Sequence, residues 1–141
     1  MYFIDANIFL ELLLDQKKAD ECQIFLEAVQ KGRTECFVTD LVLDSILIVL
    51  EDKGKAPSEL RQFLAAIAAL RGLRLYFLTL LDRLEATKIM RVSRLDFEDS
   101  TLVRAARRLG AEGIVTFDRD FDRVKDLNRL EPLEIVKQYK S

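Results

Sequence analysis

Two short apolar runs in this chain end on aspartate, one near each terminus. "MYFIDANIF" is apolar from Tyr2 to Ile4, meets Asp5, and turns apolar again at Ile8. "GIVTFDRDF" stops at Asp118, with Arg119 and Asp120 directly behind it. One charged strand end would be an ordinary surface turn; two of the same design raise a chemical question. If the strands are neighbours, two carboxylates converge, and like charges held together repel unless a cation lies between them. Carboxylate oxygens suit a hard divalent ion.

Composition narrows the chemistry further. There is no histidine among the 141 residues, which removes Ser-His-Asp and Cys-His catalysis and imidazole as a general base. What remains is carboxylates, hydroxyls, lysines or an oxygen-held metal. Cys22 and Cys36 lack CxxC spacing and read as reduced core thiols. Net charge is −2, but it is unevenly spread. Residues 1–70 carry 7 Lys+Arg against 12 Asp+Glu, and residues 71–141 carry 15 against 12. The arginines of the second half, Arg119 and Arg123 beside Asp118 among them, could lie on solvated helix faces; they would also suit phosphate oxygens, which a guanidinium grips with paired hydrogen bonds.

The length fits one domain spanning 1–141, with no repeat or linker. The densest apolar run, "LVLDSILIVL", is too short to cross a bilayer. Asp5 and Glu11 fall where a leader would be apolar, so the expected location is the cytoplasm, with no membrane partner.

Positioning those aspartates requires a particular set of elements. Strands are expected at 2–5, 35–39, 73–79 and 113–117, with a weaker fifth at "LEIVKQY", 133–139. Helical spacing or caps mark 8–14, 19–29, 41–52, 57–70, 80–92 and 96–109, with Gly54 and Gly110 as stops. Strands alternating with helices predict a three-layer α/β/α sandwich on a mostly parallel sheet of four to five strands. In such sheets functional groups gather outside the C-terminal strand ends. Asp5 and Asp118 both stand there.

Helix starts add further acids. After Asp96, either Glu98 or Asp99 could lean toward the core, and the helical wheel does not choose between them. In the 41–52 helix, Asp40, Asp44 and Glu51 share a narrow polar stripe that reads as the solvent side. Ser45 points elsewhere, among apolar neighbours, where a bond back to the i−4 carbonyl is the ordinary expectation.

Together "FIDANIFLE", "FVTDLVLDSILIVLE" and "LDFEDSTLVRAARRLGAEGIVTFDRDF" resemble the PIN-domain family, the fold of the VapC-type toxin ribonucleases. The resemblance runs over essentially the whole chain and is strongest over residues 95–121. It implies that Asp5, Asp99 and Asp118 are acidic metal-binding and catalytic positions, supported by Asn7 and Thr116. It also implies Mg²⁺ or Mn²⁺ as cofactor, single-stranded RNA as substrate, a homodimer and a cognate antitoxin. The family's second acid, a glutamate early in the third helix, aligns with Ser45. Asp44 is adjacent, but one residue is about 100° around a helix. Either Asp44 compensates through a local shift or the site lacks one ligand. Phe117 stands where the family often has asparagine.

The leading expectation is a metal-dependent ribonuclease of the toxin type. The alternative is a PIN-fold protein with weak or lost catalysis that binds RNA or protein, and Ser45 is the residue that favours it. A phosphatase with Asp5 as nucleophile fits less well, because Asn7 stands where a second aspartate is usual. The apolar stripe Leu60, Phe63, Leu64, Ile67 and Leu70 marks a helix that is either wholly buried or at a subunit contact, and the resemblance favours a contact in the homodimer.

Overall fold

The computed structural model describes residues 1–139. Five strands, β1 (Tyr2–Ile4), β2 (Cys36–Thr39), β3 (Leu73–Tyr76), β4 (Gly113–Val115) and β5 (Asn128–Leu130), form one sheet in the order β3-β2-β1-β4-β5. Every pairing is parallel. The helices are α1 (Ala6–Leu13), α2 (Ala19–Gln30), α3 (Asp40–Asp52), α4 (Pro57–Ala69), α5 (Leu80–Ser93), α6 (Phe97–Leu109) and α7 (Pro132–Val136). The expected three-layer α/β/α arrangement is what forms.

Strand alternation explains the layers. Tyr2 and Ile4 of β1, Cys36 and Val38 of β2, and Val115 of β4 enter one core with α1, α2, α3, α4 and α7. Their neighbours Phe3, Phe37 and Ile114 enter the other, against α6. A period of two thus divides the three central strands between the two packed faces. Phe3 stacks on Phe37 with ring centroids 5.4 Å apart and meets Tyr76 edge-on at 5.8 Å. Cys22 and Cys36 are buried free thiols. Burial pushes both up to about 12, so neither is a nucleophile.

From β1 the chain lays β2 and β3 to one side, then returns to place β4 and β5 on the other. The order therefore reverses at β1, and a crevice opens between the C-terminal ends of β1 and β4. Gly113 lets β4 approach its edge partner closely, since a Cβ there would strike the Asn128 carbonyl. Gly110, at φ 65°, ends α6 in the left-handed region.

The sequence-based element bounds need three corrections. The strand expected at 133–139 is α7 followed by a 3-10 turn, and the fifth strand is Asn128–Leu130 instead. Pro132 takes the first helical position, where a missing N–H costs nothing. Glu131 N donates to the Glu134 carboxylate at 3.2 Å, closing the cap. The strand read to Thr79 stops at Tyr76, because Thr79 caps α5 by accepting from Asp82 N at 3.1 Å. The strand read to Phe117 stops at Val115, because Thr116 turns its hydroxyl to the site below.

α4 buries part of its apolar stripe. Phe63 and Ile67 are buried in the core, with Phe63 edge-on to Phe9 at 6.0 Å, and of the stripe only Leu64 is clearly exposed. A larger exposed apolar group lies on the loop after edge strand β3 and on the first turns of α5. Phe77 there is 68% exposed and Leu80 76%, with Leu81 and Leu84 beside them. No helix among the described residues is long and apolar enough to cross a membrane.

Candidate active site

Asp5 follows β1 directly and caps α1, its Oδ1 accepting from Ala6 N at 2.8 Å. Its own N–H donates to the Val115 carbonyl at 3.0 Å, tying it to the end of β4. It is only 6% exposed. The strand pairing Ile4 with Val115 puts Thr116 opposite Asp5. The Thr116 hydroxyl donates to Asp5 Oδ2 at 2.8 Å and accepts from Asn7 Nδ2 and from Asp118 N, both at 3.0 Å. Asn7 Nδ2 also donates to Asp5 Oδ2 at 3.2 Å, while its Oδ1 accepts from Phe117 N at 3.3 Å. One buried threonine hydroxyl therefore joins β1, α1 and the turn after β4.

Asp118 is half-buried and caps the next turn, with Oδ1 accepting from Asp120 N at 2.9 Å. Asp99 sits in the first turn of α6, where its N–H donates to the Asp96 carboxylate at 2.8 Å. Burial, then the charges of Asp5, Asp96, Asp118 and Glu98, push Asp99 up to about 8. Asp5 is pushed up to about 6, first by burial and also by Glu98 and Asp118, although the Thr116 and Ala6 hydrogen bonds oppose this. The acids thus act on one another across a single crevice. Among the described residues no three acidic, histidine or cysteine side chains stand close enough together to hold a metal ion as they are placed.

The remaining candidates are placed as follows. Asp44 is exposed, while Ser45 is half-buried and donates to Glu98 Oε2 at 2.9 Å rather than back to its own helix. Asp40 is not on the solvent side: its Oδ1 accepts from Leu41 N and Leu78 N, both at 3.0 Å, fastening α3 to the segment after β3. Arg119 is exposed beside Asp118. Arg123 is engaged elsewhere, donating to the Arg94 carbonyl at 2.9 Å and to Asp120 at 3.3 Å. Sequence reading missed the Ser45–Glu98 pair. Its one signal was that Glu98 lies on the same side of α6 as buried Leu102 and Ala105.

The sequence profile of the family described as PIN domain matches residues 2–127. The chain belongs to the PIN-domain family. No curated protein matches this PIN domain by sequence. Its fold is shared with solved structures of low identity. Mycobacterium tuberculosis VapC20, described as a sarcin-ricin loop cleaving toxin, is 19% identical with a TM-score of 0.73 over 94% of this chain and 100% of that one. A toxin–antitoxin complex from Klebsiella pneumoniae gives 13% and 0.66, over 94% and 98% of the two chains. VapBC2 from Rickettsia felis, bound to a DNA fragment from its promoter, gives 15% and 0.66 over 92% and 97%.

Proposed function

We propose that this PIN domain is a Mg²⁺- or Mn²⁺-dependent endoribonuclease of single-stranded RNA and the toxin of a toxin–antitoxin pair. The carrying observation is Asp5, buried at the strand switch point and hydrogen-bonded in place, with Asp99 and Asp118 close enough to raise its neighbourhood's negative charge. The donor set is carboxylate oxygen with no imidazole or thiolate, which fits a hard divalent ion that keeps most of its water. Asp5, Asp99 and Asp118 would hold that ion. When bound, it supplies an acidified water and positive charge against the phosphate oxygens.

The chain's own groups prepare for this. Thr116 and Asn7 fix the Asp5 carboxylate, so its orientation does not have to be found at each turnover. Asp99, pushed to about 8, must release its proton before it can ligate. Arg119, exposed next to Asp118, is placed to meet an RNA phosphate.

One of the structural neighbours is described as a toxin–antitoxin complex, which supports an antitoxin as partner. A second reading, weak or lost cleavage in a binding module, is favoured by Ser45 in place of the family glutamate. The deciding assay is cleavage of a labelled single-stranded RNA with Mn²⁺. Wild type should cleave, while EDTA or Asp5→Asn should stop cleavage. A wild type that binds RNA without metal-dependent cleavage would favour the second reading.

A further inference from the structure

Ser45 occupies the family's glutamate position and has no carboxylate, yet a carboxylate stands beside it. Its hydroxyl donates to Glu98 Oε2 at 2.9 Å, from α3 across to the first turn of α6. A glutamate at 45 would carry its oxygens two bonds beyond the Oγ position, roughly 2.4 Å away by ordinary bond lengths. Glu98 thus brings an oxygen from the opposite helix to nearly the distance that the absent side chain would reach.

A helix-to-helix clip alone does not explain the choice of glutamate. A serine–asparagine or serine–glutamine pair would join α3 to α6 without adding charge. Glu98 instead adds a half-buried negative group to a crevice that already holds Asp5 and Asp99. Its charge acts on both. Among the described residues no lysine or arginine pairs with it, and only the neutral Ser45 hydroxyl hydrogen-bonds its carboxylate. Unpaired like charges gathered this way are unfavourable without a cation. Asp44, the other possible replacement, is exposed and takes no part in this contact.

We infer that Glu98 is the fourth metal-ligating carboxylate of this PIN domain, supplied from α6 instead of α3, and that Ser45 is the positioning residue that aims it. The inference rests on the metal-dependent reading above. Oε2 is held by Ser45, and Oε1 is the oxygen left to face an ion.

Titrating metal-free protein with Mn²⁺, followed by calorimetry and by the electron paramagnetic resonance of free Mn²⁺, tests this without RNA or turnover. Glu98→Gln should weaken Mn²⁺ binding by roughly tenfold or more, and Ser45→Ala by a smaller factor. The exchange variant Ser45→Glu/Glu98→Ser returns the acid to α3 and should recover most of the affinity. A purely structural clip would not predict that recovery. Circular dichroism establishes that each variant folds, and the exchange variant decides the matter if Glu98→Gln does not. If Asp5→Asn loses Mn²⁺ while Glu98→Gln binds like wild type, Glu98 is not a ligand and the metal site stands without it. A folded exchange variant that binds no better than Glu98→Gln also overturns the assignment. Wild type that binds no Mn²⁺ at all removes the underlying reading as well.

Discussion

Thr116 has one hydroxyl and uses its full capacity, giving one hydrogen bond to Asp5 and taking two from Asn7 and Asp118. Around it, Asp5 and Asp99 are held at about 6 and about 8 against an ordinary 3.8, burial being the larger cause for each. Both folded values lie above the unfolded ones, so the folded chain binds these protons more tightly. Their stabilising contribution is complete below about pH 4 and is lost as pH rises through about 6 and then about 8. Metal-free protein in EDTA should therefore melt several degrees lower at pH 8.5 than at pH 5.5, since about 1 kcal/mol shifts a chain of this size by roughly 3–5 °C. Asp99→Asn should remove most of that fall, and identical profiles for the two proteins would contradict the electrostatic account. Asp5 and Asp118 were legible in sequence because each ends an apolar run at the same edge of a parallel sheet. The choice between Glu98 and Asp99 was not legible, since both share the inner side of one helical turn. The contact from Ser45 turns Glu98 inward, and the charges of Asp5 and Asp118 acting on Asp99 set it on the same side.

Asp82 illustrates how the second layer is fastened to the sheet. It is fully buried, and burial alone would raise it. Thr79 N at 3.0 Å, Arg104 Nε at 2.9 Å and the Tyr76 hydroxyl at 2.9 Å outweigh that and hold it at about 2. One carboxylate thereby joins β3, α5 and α6, the helix that carries Asp99 and Glu98. Asp82→Ala should lower stability by about 3 kcal/mol in chemical denaturation, because it strands a partly buried guanidinium. A loss below 1 kcal/mol would show that packing alone holds α6. At this scale the sequence was legible wherever a cap or glycine marks a boundary, as at Asp96 and Gly110. It failed at β5, whose three residues Asn128, Arg129 and Leu130 carry no strand pattern. Arg129 fits there because it pairs with Asp122 at 3.0 Å and Glu131 at 3.1 Å, contacts invisible to periodicity.

For the whole molecule, the exposed group Phe77, Leu80, Leu81 and Leu84 bears on assembly. Four large apolar side chains beside an edge strand are more than scattered surface residues. If the chain dimerises, as the family resemblance implies, we propose this surface for the contact, since Phe63 and Ile67 of α4 are buried in the core. Sedimentation should show a dimer at tens of micromolar that Leu80→Ser/Leu84→Ser dissociates and Leu64→Ser does not. A wild-type monomer would count against it. The helical stripe on α4 was legible as apolar, but spacing alone cannot tell a core from a subunit contact. The central claim concerns the crevice at the strand switch point, where we propose that Asp5, Asp99 and Asp118 bind a metal ion. Anomalous scattering from a crystal soaked in Mn²⁺ tests it most directly. The account predicts a manganese peak within that crevice, ligated by these aspartates and absent from Asp5→Asn crystals. Manganese bound only elsewhere on the molecule, with the crevice empty at saturating concentration, would contradict it.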